Sequence, residues 1–477
     1  MKTIAKKATL VAKKEKIATP RIPEFWEAVA ALALIFSVII IGLQLKTGLT
    51  APLIAGLFIA GLFGLYLGHK WTDLQTGMIE GIASAVPCIM ILMLVGLLIG
   101  IWIIGGTVPV MIYYGLQILS PKMFLPATFI LCCIVSVATG TSWGTIGTMG
   151  LALIGIGQGL NIPLPIVAGA IVSGAYFGDK MSPLSDTTNV APAMAGADLF
   201  EHIGSMLYTT VPATIVSIIL YTFLGFSGTS GSVDTEAVNS ILSTLNGSFN
   251  ISILALIPPL LVIFMSIKRV PAIPALAIAV IFSVFWGMFT QGVKFSKIVA
   301  AAVNGFASNT GVDTVDVLLS RGGLNSMMGI ISMVLLATAL GGVLEKIGIL
   351  TVIINALLKK VKSAGSLILS VLISCYAILL VSGNAMLAII LPGRTFKDAF
   401  AERNIHPRVL SRTLEDAGTI GAVLIPWSAA GLYAYGILDV PVLSFAPYAF
   451  LNWIVPIFSI VYAYTGFAVF KVKEETK

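Results

Sequence analysis

Long apolar runs separated by short polar breaks dominate the chain. Runs such as 28–41 and 89–104 stay nearly free of polar side chains for several helical turns. A half-buried strand alternates apolar and polar residues, so runs of this length predict helices rather than a barrel. The pattern predicts about ten to thirteen spans of about 20 residues joined by short connections. Crossings are expected at 28–45, 49–68 and 86–104, followed by a horizontal segment at 106–120 and a re-entrant hairpin at 123–157. The longest polar stretch, 227–250, is rich in Ser, Gly and Asn, carries Asp234 and Glu236, and has no Lys or Arg. It reads as an extracytoplasmic linker between two membrane halves.

The halves overlay at a nearly constant offset. A shift of 242 pairs Gly81 with Gly323 and Gly106 with Gly348; a shift of 243 pairs Gly140 with Gly383, Gly178 with Gly421 and Pro183 with Pro426. Offset conservation over more than a hundred residues points to an internal duplication. Charge then tests the orientation. The segment 106–120 has no basic residue, whereas its partner 347–362 ends in Lys359, Lys360 and Lys362. The uncharged 158–163 turn pairs with the basic 397–408 turn. Opposite bias in equivalent loops predicts inverted topology; Lys294, Lys297 and Arg321, on an expected outer segment, fit less well. The expected organisation is a basic cytoplasmic N-terminus (1–24), a first membrane repeat (25–226), the linker (227–250), a second repeat (251–470) and a cytoplasmic C-terminus (471–477). The fold class is all-α polytopic membrane protein, two inverted repeats with re-entrant hairpins and broken helices, divided into scaffold and transport parts. A horizontal segment in each half also points to a homodimer.

Composition strengthens this picture. Hydrophobic residues make up 57% of the 477 positions and charged residues only 10%, with a mean hydropathy of +1.01. A soluble domain carries roughly 25% charged residues, so lipid must solvate most of this surface. The net charge of +7 does not point to nucleic acid, because seven of the 28 basic residues precede residue 22. That cluster is a positive-inside signature. Cys88, Cys132, Cys133 and Cys375 sit in apolar runs and read as buried hydrophobes. His69, His202 and His406 are scattered, so no resident metal or cofactor is expected.

Candidate chemistry concentrates at 174–189, Gly-Ala-Tyr-Phe-Gly-Asp-Lys-Met-Ser-Pro-Leu-Ser-Asp-Thr-Thr-Asn. Two carboxylates and an ammonium near mid-span are costly, about 2.5–3.5 kcal/mol for each central charge. Pro183 removes a backbone donor, which predicts a broken helix. Freed carbonyls with Asp179, Ser182, Ser185, Asp186, Thr187, Thr188 and Asn189 can replace the oxygen shell of a hard cation such as Na+, held at Asp179 and Asp186. A carboxylate shielded from water also retains a proton readily, so one site can take either ion. The bland alternative is mutual satisfaction at a kink, with Lys180 neutralising an Asp. Gly140, Thr141 and Ser142 form the expected hairpin tip that meets this break, or else ordinary small-residue packing. In the second half, Ser382 and Asn384 occupy the equivalent tip, and Thr419 and Ser428 the equivalent break, with less polar surroundings. Glu415 and Asp416, near Arg412, read either as an internal ion pair or as proton-handling groups.

These stretches resemble the NhaC-type Na+/H+ antiporter family, which includes malate/lactate-type exchangers. The resemblance rests on 105–115, 140–145, 174–189 and 411–418, and extends from about Ile22 onward. It implies exchange of Na+ for H+ across a bacterial inner membrane, with the site at Asp179 and 182–189. The second half departs from the family pattern. Ala422-Val-Leu-Ile-Pro-Trp-Ser-Ala-Ala430 stands where a Ser-Pro-Leu-Ile-Pro-Trp-Asn-Thr-Cys run is expected, and Ser382-Gly-Asn-Ala385 where Ser-Gly-Asn-Gln is expected. Fewer oxygen ligands there are consistent with a pocket altered toward an organic solute. Three readings follow: Na+/H+ antiport by alternating access, antiport of an organic acid coupled to Na+ or H+, and an intramembrane aspartyl protease. Against the last, both acids lie in one short segment and Tyr176 stands where a Gly would be expected.

Overall fold

The computed structural model describes residues 20–45, 47–228, 235–359 and 361–472. The basic stretch before Pro20, Lys46, Asp234, Lys360 and Lys473 lie outside the described residues, and so do the expectations placed on them. The described chain is helical, and its extended pairing is one antiparallel bridge between Ile405 and Lys471.

The first half of the chain runs through α1 (Phe25–Gln44), α2 (Thr50–Tyr66), α3 (Trp71–Ile104), α4 (Thr107–Ile118), α5 (Pro121–Thr139), α6 (142–159), α7 (Leu164–Met181), α8 (Asp186–Ala195) and α9 (Leu199–Gly228). Next come α10 (Thr235–Ser248), α11 (Ile257–Ile267), α12 (Ala272–Gln291), α13 (Phe295–Asn304) and α14 (Asp313–Leu319). The chain continues through α15 (Leu324–Lys346), α16 (Ile349–Leu358), α17 (Ala364–Ser382), α18 (Ala385–Ala401), α19 (407–422), α20 (Ala429–Leu438) and α21 (Phe450–Thr465). Helix starts recur at the sequence offset, as Thr107 and Ile349, Pro121 and Ala364, and Asp186 and Ala429 show. Backbone turns recur with them. Gly106 and Gly348 have φ of 80° and 82°, and Asn161 and Asn404 have 55° and 53°.

The equivalent helices α3 and α15 run antiparallel. Gly77 packs on Gly342 and Lys346, whereas Gly96 packs on Gly323 and Met327. Two helices that occupy the same place in each repeat and point in opposite directions are the structural form of inverted topology. Small residues permit the contact, since a methyl group on Gly81 would lie 2.1 Å from the Thr338 carbonyl oxygen. In a bilayer this close backbone approach, rather than hydrophobic burial, drives helix association.

Among the described residues, seven helices are long and apolar enough to cross a membrane, or nine if two sharply bent pairs each count once. The sequence-based number is higher because several apolar helices are short, α2 (Thr50–Tyr66) and α21 (Phe450–Thr465) among them, and fall below the length of a full span. The 227–250 stretch also differs from a simple linker. It contains α10, whose Ile241 and Leu245 are buried one turn apart, and whose Val238–Ser248 portion bends by 94° into the following helix. Its short apolar stripe is masked in sequence by the surrounding Ser and Asn.

Candidate functional site

The hairpin α5–α6 and the broken helix α7–α8 are packed side by side. Gly174 contacts Phe129 and Cys132, and Gly178 contacts Ser136 and Val137, so α5 and α7 run parallel in register. Ser136 donates its hydroxyl to the Ala175 carbonyl across this contact. α5 ends at Gly140, whose φ of 72° is left-handed and whose α-carbon abuts Leu184. A side chain there would be both strained and obstructed. The hairpin tip therefore sits against the break, as the sequence predicts.

α7 stops at Met181 and α8 begins at Asp186. Four of the predicted residues hold this opening together. Ser182 donates to the Val137 carbonyl (2.9 Å). The Thr188 hydroxyl lies 2.9 and 3.0 Å from the carbonyl oxygens of Asp179 and Lys180, which lose helical partners at the break. Asn189 donates to the Pro183 and Ser185 carbonyls at 2.9 and 2.7 Å. Ser185 joins this framework to the carboxylate. It donates to Asp179 Oδ1 (2.7 Å), while Ser142 from the hairpin donates to Oδ2 (2.6 Å). Thr187 stands 3.1 Å from the Ser185 hydroxyl.

Asp179, Asp186, Thr187 and Thr141 line two adjoining cavities of about 350 and 610 Å³. The inner one is walled by Cys88, Trp143 and Tyr176 from the first half and by Asn384, Thr419, Ala422, Ala429 and Ala430 from the second. The outer one carries Gly140, Ser185 and Asn189 and reaches Arg269. The inner walls come in repeat-equivalent pairs 243 positions apart: Thr141 with Asn384, Trp143 with Met386, Tyr176 with Thr419, Asp179 with Ala422, Asp186 with Ala429, Thr187 with Ala430. The cavity thus lies where the two repeats face each other.

The second half's own polar residues are placed differently. Ser382 donates to the Ile378 carbonyl (2.8 Å), and Ser428 lies 2.6 Å from the Ala422 carbonyl while accepting from the Gly431 N–H (2.8 Å). Neither lines the cavity: Ser382 bonds back within its own helix, and Ser428 caps the start of α20. Asn384 does line it, donates to Ser84 (3.2 Å), and accepts from the Leu387 N–H (3.2 Å). Glu415 and Asp416 sit in a π-turn, Glu415–Thr419, outside the cavity. Asp416 pairs with Lys180 across the halves at 2.5 Å and accepts from Thr209 (2.9 Å), with Arg412 farther at 3.9 Å. All three charged groups are fully buried. Both Glu415 oxygens and the Thr419 hydroxyl are buried next to one another, and among the described residues none of the three atoms makes a well-formed hydrogen bond. Lys180 therefore neutralises an Asp, but one 236 positions away, a pairing that no local pattern reveals. Trp143 and Arg269 are wall residues that sequence reasoning gave no site role, because neither an aromatic in an apolar run nor a basic residue between two helices carries a signal of what it faces.

Among the described residues, no group of three or more His, Cys, Asp or Glu side chains is placed to hold a metal ion. A cation in this cavity would rely on two carboxylates, hydroxyls and carbonyls, the ligand set of hard ions.

Residues 174–467 match the model of the Na+/H+ antiporter family. The chain is 42% identical over 421 residues to the Na+/H+ antiporter NhaC of Alkalihalophilus pseudofirmus, covering 88% of this chain and 91% of that one. It is 39% identical to the malate-2H+/Na+-lactate antiporter of Bacillus subtilis, over 96% and 98% of the two chains. It is 36% identical to the arginine/ornithine antiporter ArcD of Halobacterium salinarum, over 94% and 93%. With a two-repeat helical membrane architecture and similarity of this extent, the protein is a multi-pass transporter, not an enzyme, and belongs to the Na+/H+ antiporter family.

Proposed function

We propose that the protein exchanges Na+ for H+ by alternating access, with Asp179 as the group that carries either ion. The observation that supports this reading most directly is the pair of hydroxyls, Ser142 and Ser185, on the two oxygens of one carboxylate at a helix break. A hydroxyl both donates and accepts. With Asp179 ionised, both serines donate to it. With Asp179 protonated, one serine rotates and accepts the acid proton. With Na+ bound, the serine oxygens can turn toward the cation together with Asp186 and Thr187. Each state leaves no buried polar group unpaired, so the carrier can change cargo without a large desolvation cost.

Positive-inside bias places Lys268, Arg269, Lys359, Arg403 and Arg408 in the cytoplasm, which makes the outer cavity a cytoplasmic mouth in a bacterial inner membrane. The hairpin tips and broken helices form the moving part, and α3 with α15 the scaffold.

The test is an imposed pH gradient in proteoliposomes. Na+ added on one side dissipates the gradient with the wild-type protein, and Asp179→Asn reduces dissipation to that of empty liposomes. Undiminished exchange in that variant removes the mechanism.

The inner cavity's size favours a second reading. About 350 Å³ holds roughly twelve waters at ~30 Å³ each, far more than a bare ion needs. The alanines at 422, 429 and 430 leave that room open. An organic solute coupled to Na+ or H+ fits such a space, as the malate/lactate relative would lead one to expect. Counterflow of labelled lactate or malate, with and without Na+, distinguishes the two.

A further inference from the structure

A separate cavity of about 440 Å³ opens on the other side of the bundle, lined among others by Asn304, Ser320, Arg321, Ser326, Tyr435 and Asp439. It lies on the same path as the Asp179 cavity. α3 passes from Cys88 in one to Ile99 in the other, α6 from Trp143 to Leu151, α15 from Thr338 to Ile330, and α20 from Ala430 to Tyr435. What separates them is narrow. Tyr433 donates its hydroxyl to the Trp143 carbonyl (2.7 Å), stacks on that ring at 4.4 Å, and touches Gly147. Val95 closes on Gly147, and Leu92 with Ile330 on Gly436. This partition coincides with the π-turn Ile146–Gly150, an irregularity common at functional sites.

Two opposite charges on this second cavity's wall are held apart. The Arg321 guanidinium makes one hydrogen bond among the described residues, to Gln158 Oε1 (3.2 Å). Asp439, in the left-handed conformation that ends α20 (φ 56°), is near enough to feel the Arg321 charge. Among the described residues the two form no direct ion pair. An arginine in a membrane protein is expensive unless it meets a partner. A carboxylate ligand would fill the fork of Arg321 bidentately but would face the like charge of Asp439. An amine would meet Asp439 but be repelled by Arg321. A molecule carrying both charges satisfies both walls.

We infer that this cavity binds a small zwitterion of the α-amino-acid class, its carboxylate on Arg321 and its ammonium toward Asp439, as the opposite mouth of the transport path. The inference rests on the transporter reading but not on Na+/H+ exchange. It is tested by ligand-dependent thermal unfolding of the purified full chain in Na+-free buffer, with L-alanine, L-serine, L-methionine and L-ornithine as probes. L-Lactate, which replaces the ammonium by a hydroxyl, and ethylamine, which lacks the carboxylate, are the controls. At least one amino acid should stabilise saturably, with lactate and ethylamine at least about tenfold weaker, as losing ~1.4 kcal/mol implies. Arg321→Gln should weaken amino-acid binding by about tenfold or more. Asp439→Asn, which keeps a residue tolerant of the left-handed backbone, should raise lactate to parity with alanine. A merely structural role would not produce that change of preference.

Failure of every amino acid to bind the wild-type chain overturns the inference, and so does equal binding of lactate and alanine to it. These comparisons need no variant. If wild-type dissipation is absent while zwitterion binding holds, the exchange mechanism fails and the cavity assignment stands.

Discussion

The two broken helices share one backbone design and differ in chemistry. Each ends a helix beside a hairpin tip whose glycine is left-handed, Gly140 at φ 72° and Gly383 at 64°. Each restarts after a serine, Ser185 in one and Ser428 in the other. In the first, that serine donates to a carboxylate. In the second, the equivalent of Asp179 is Ala422, and Ser428 turns back onto the Ala422 carbonyl. A duplicated scaffold thus keeps the geometry on both sides, because hairpin and break must interlock for either to be stable. On the proposed mechanism the ion chemistry needs only one side, which leaves the other free to be an apolar wall. The second half supplies instead the counter-charge, Asp416, that makes Lys180 tolerable beside the site.

The sharpest way to break this comparison is to move the acid to its mate. The double variant Asp179→Ala, Ala422→Asp should show no Na+-dependent dissipation of a pH gradient, because the counterpart of Ser142 is Ala385 and Ser428 is already committed to backbone carbonyls. Recovered exchange would show that position alone matters. Next in size, Lys180→Met leaves Asp416 buried with Arg412 only at 3.9 Å. The expected loss is about 3–5 kcal/mol, read as a fall in thermal midpoint and in folded yield. Paired serine variants sharpen the contrast. Ser142→Ala should raise the Na+ concentration for half-maximal exchange by about tenfold, the worth of a hydrogen bond to a charged group. Ser428→Ala should leave that concentration unchanged and lower stability by about 1 kcal/mol, a lost cap.

The smallest effect is expected outside the spans, in the loop before α14. The Thr310 N–H at 2.7 Å, with the Ser308 and Thr310 hydroxyls, holds the Asp316 carboxyl below its ordinary value. A depressed carboxyl contributes stability above its unfolded value, about 3.9, and loses it as pH falls through the lower folded value. Faster amide exchange at Thr310 and Gly311 is expected in acid, and in Asp316→Asn at neutral pH.

The sequence alone determined the solvent, the helical class, the duplication and the place of the break. Lipid demands long apolar runs with internally satisfied backbone, and Pro183 with neighbouring acids cannot sit in such a run unnoticed. Opposite loop charge even foretold the inversion that α3 and α15 display. What only the tertiary structure decided is which polar groups meet. Ser182, Thr188, Ser382 and Ser428 offer the same hydroxyl as Ser142 and Ser185, yet they secure backbone while the latter two hold a carboxylate. Lys180 finds Asp416, Tyr433 finds Trp143, and Arg321 faces Asp439, across separations of more than a hundred residues. Local patterns report how a side chain fits its own helix; partners are chosen by how the helices pack, and packing in a bilayer depends on the shapes of small residues that periodicity does not register.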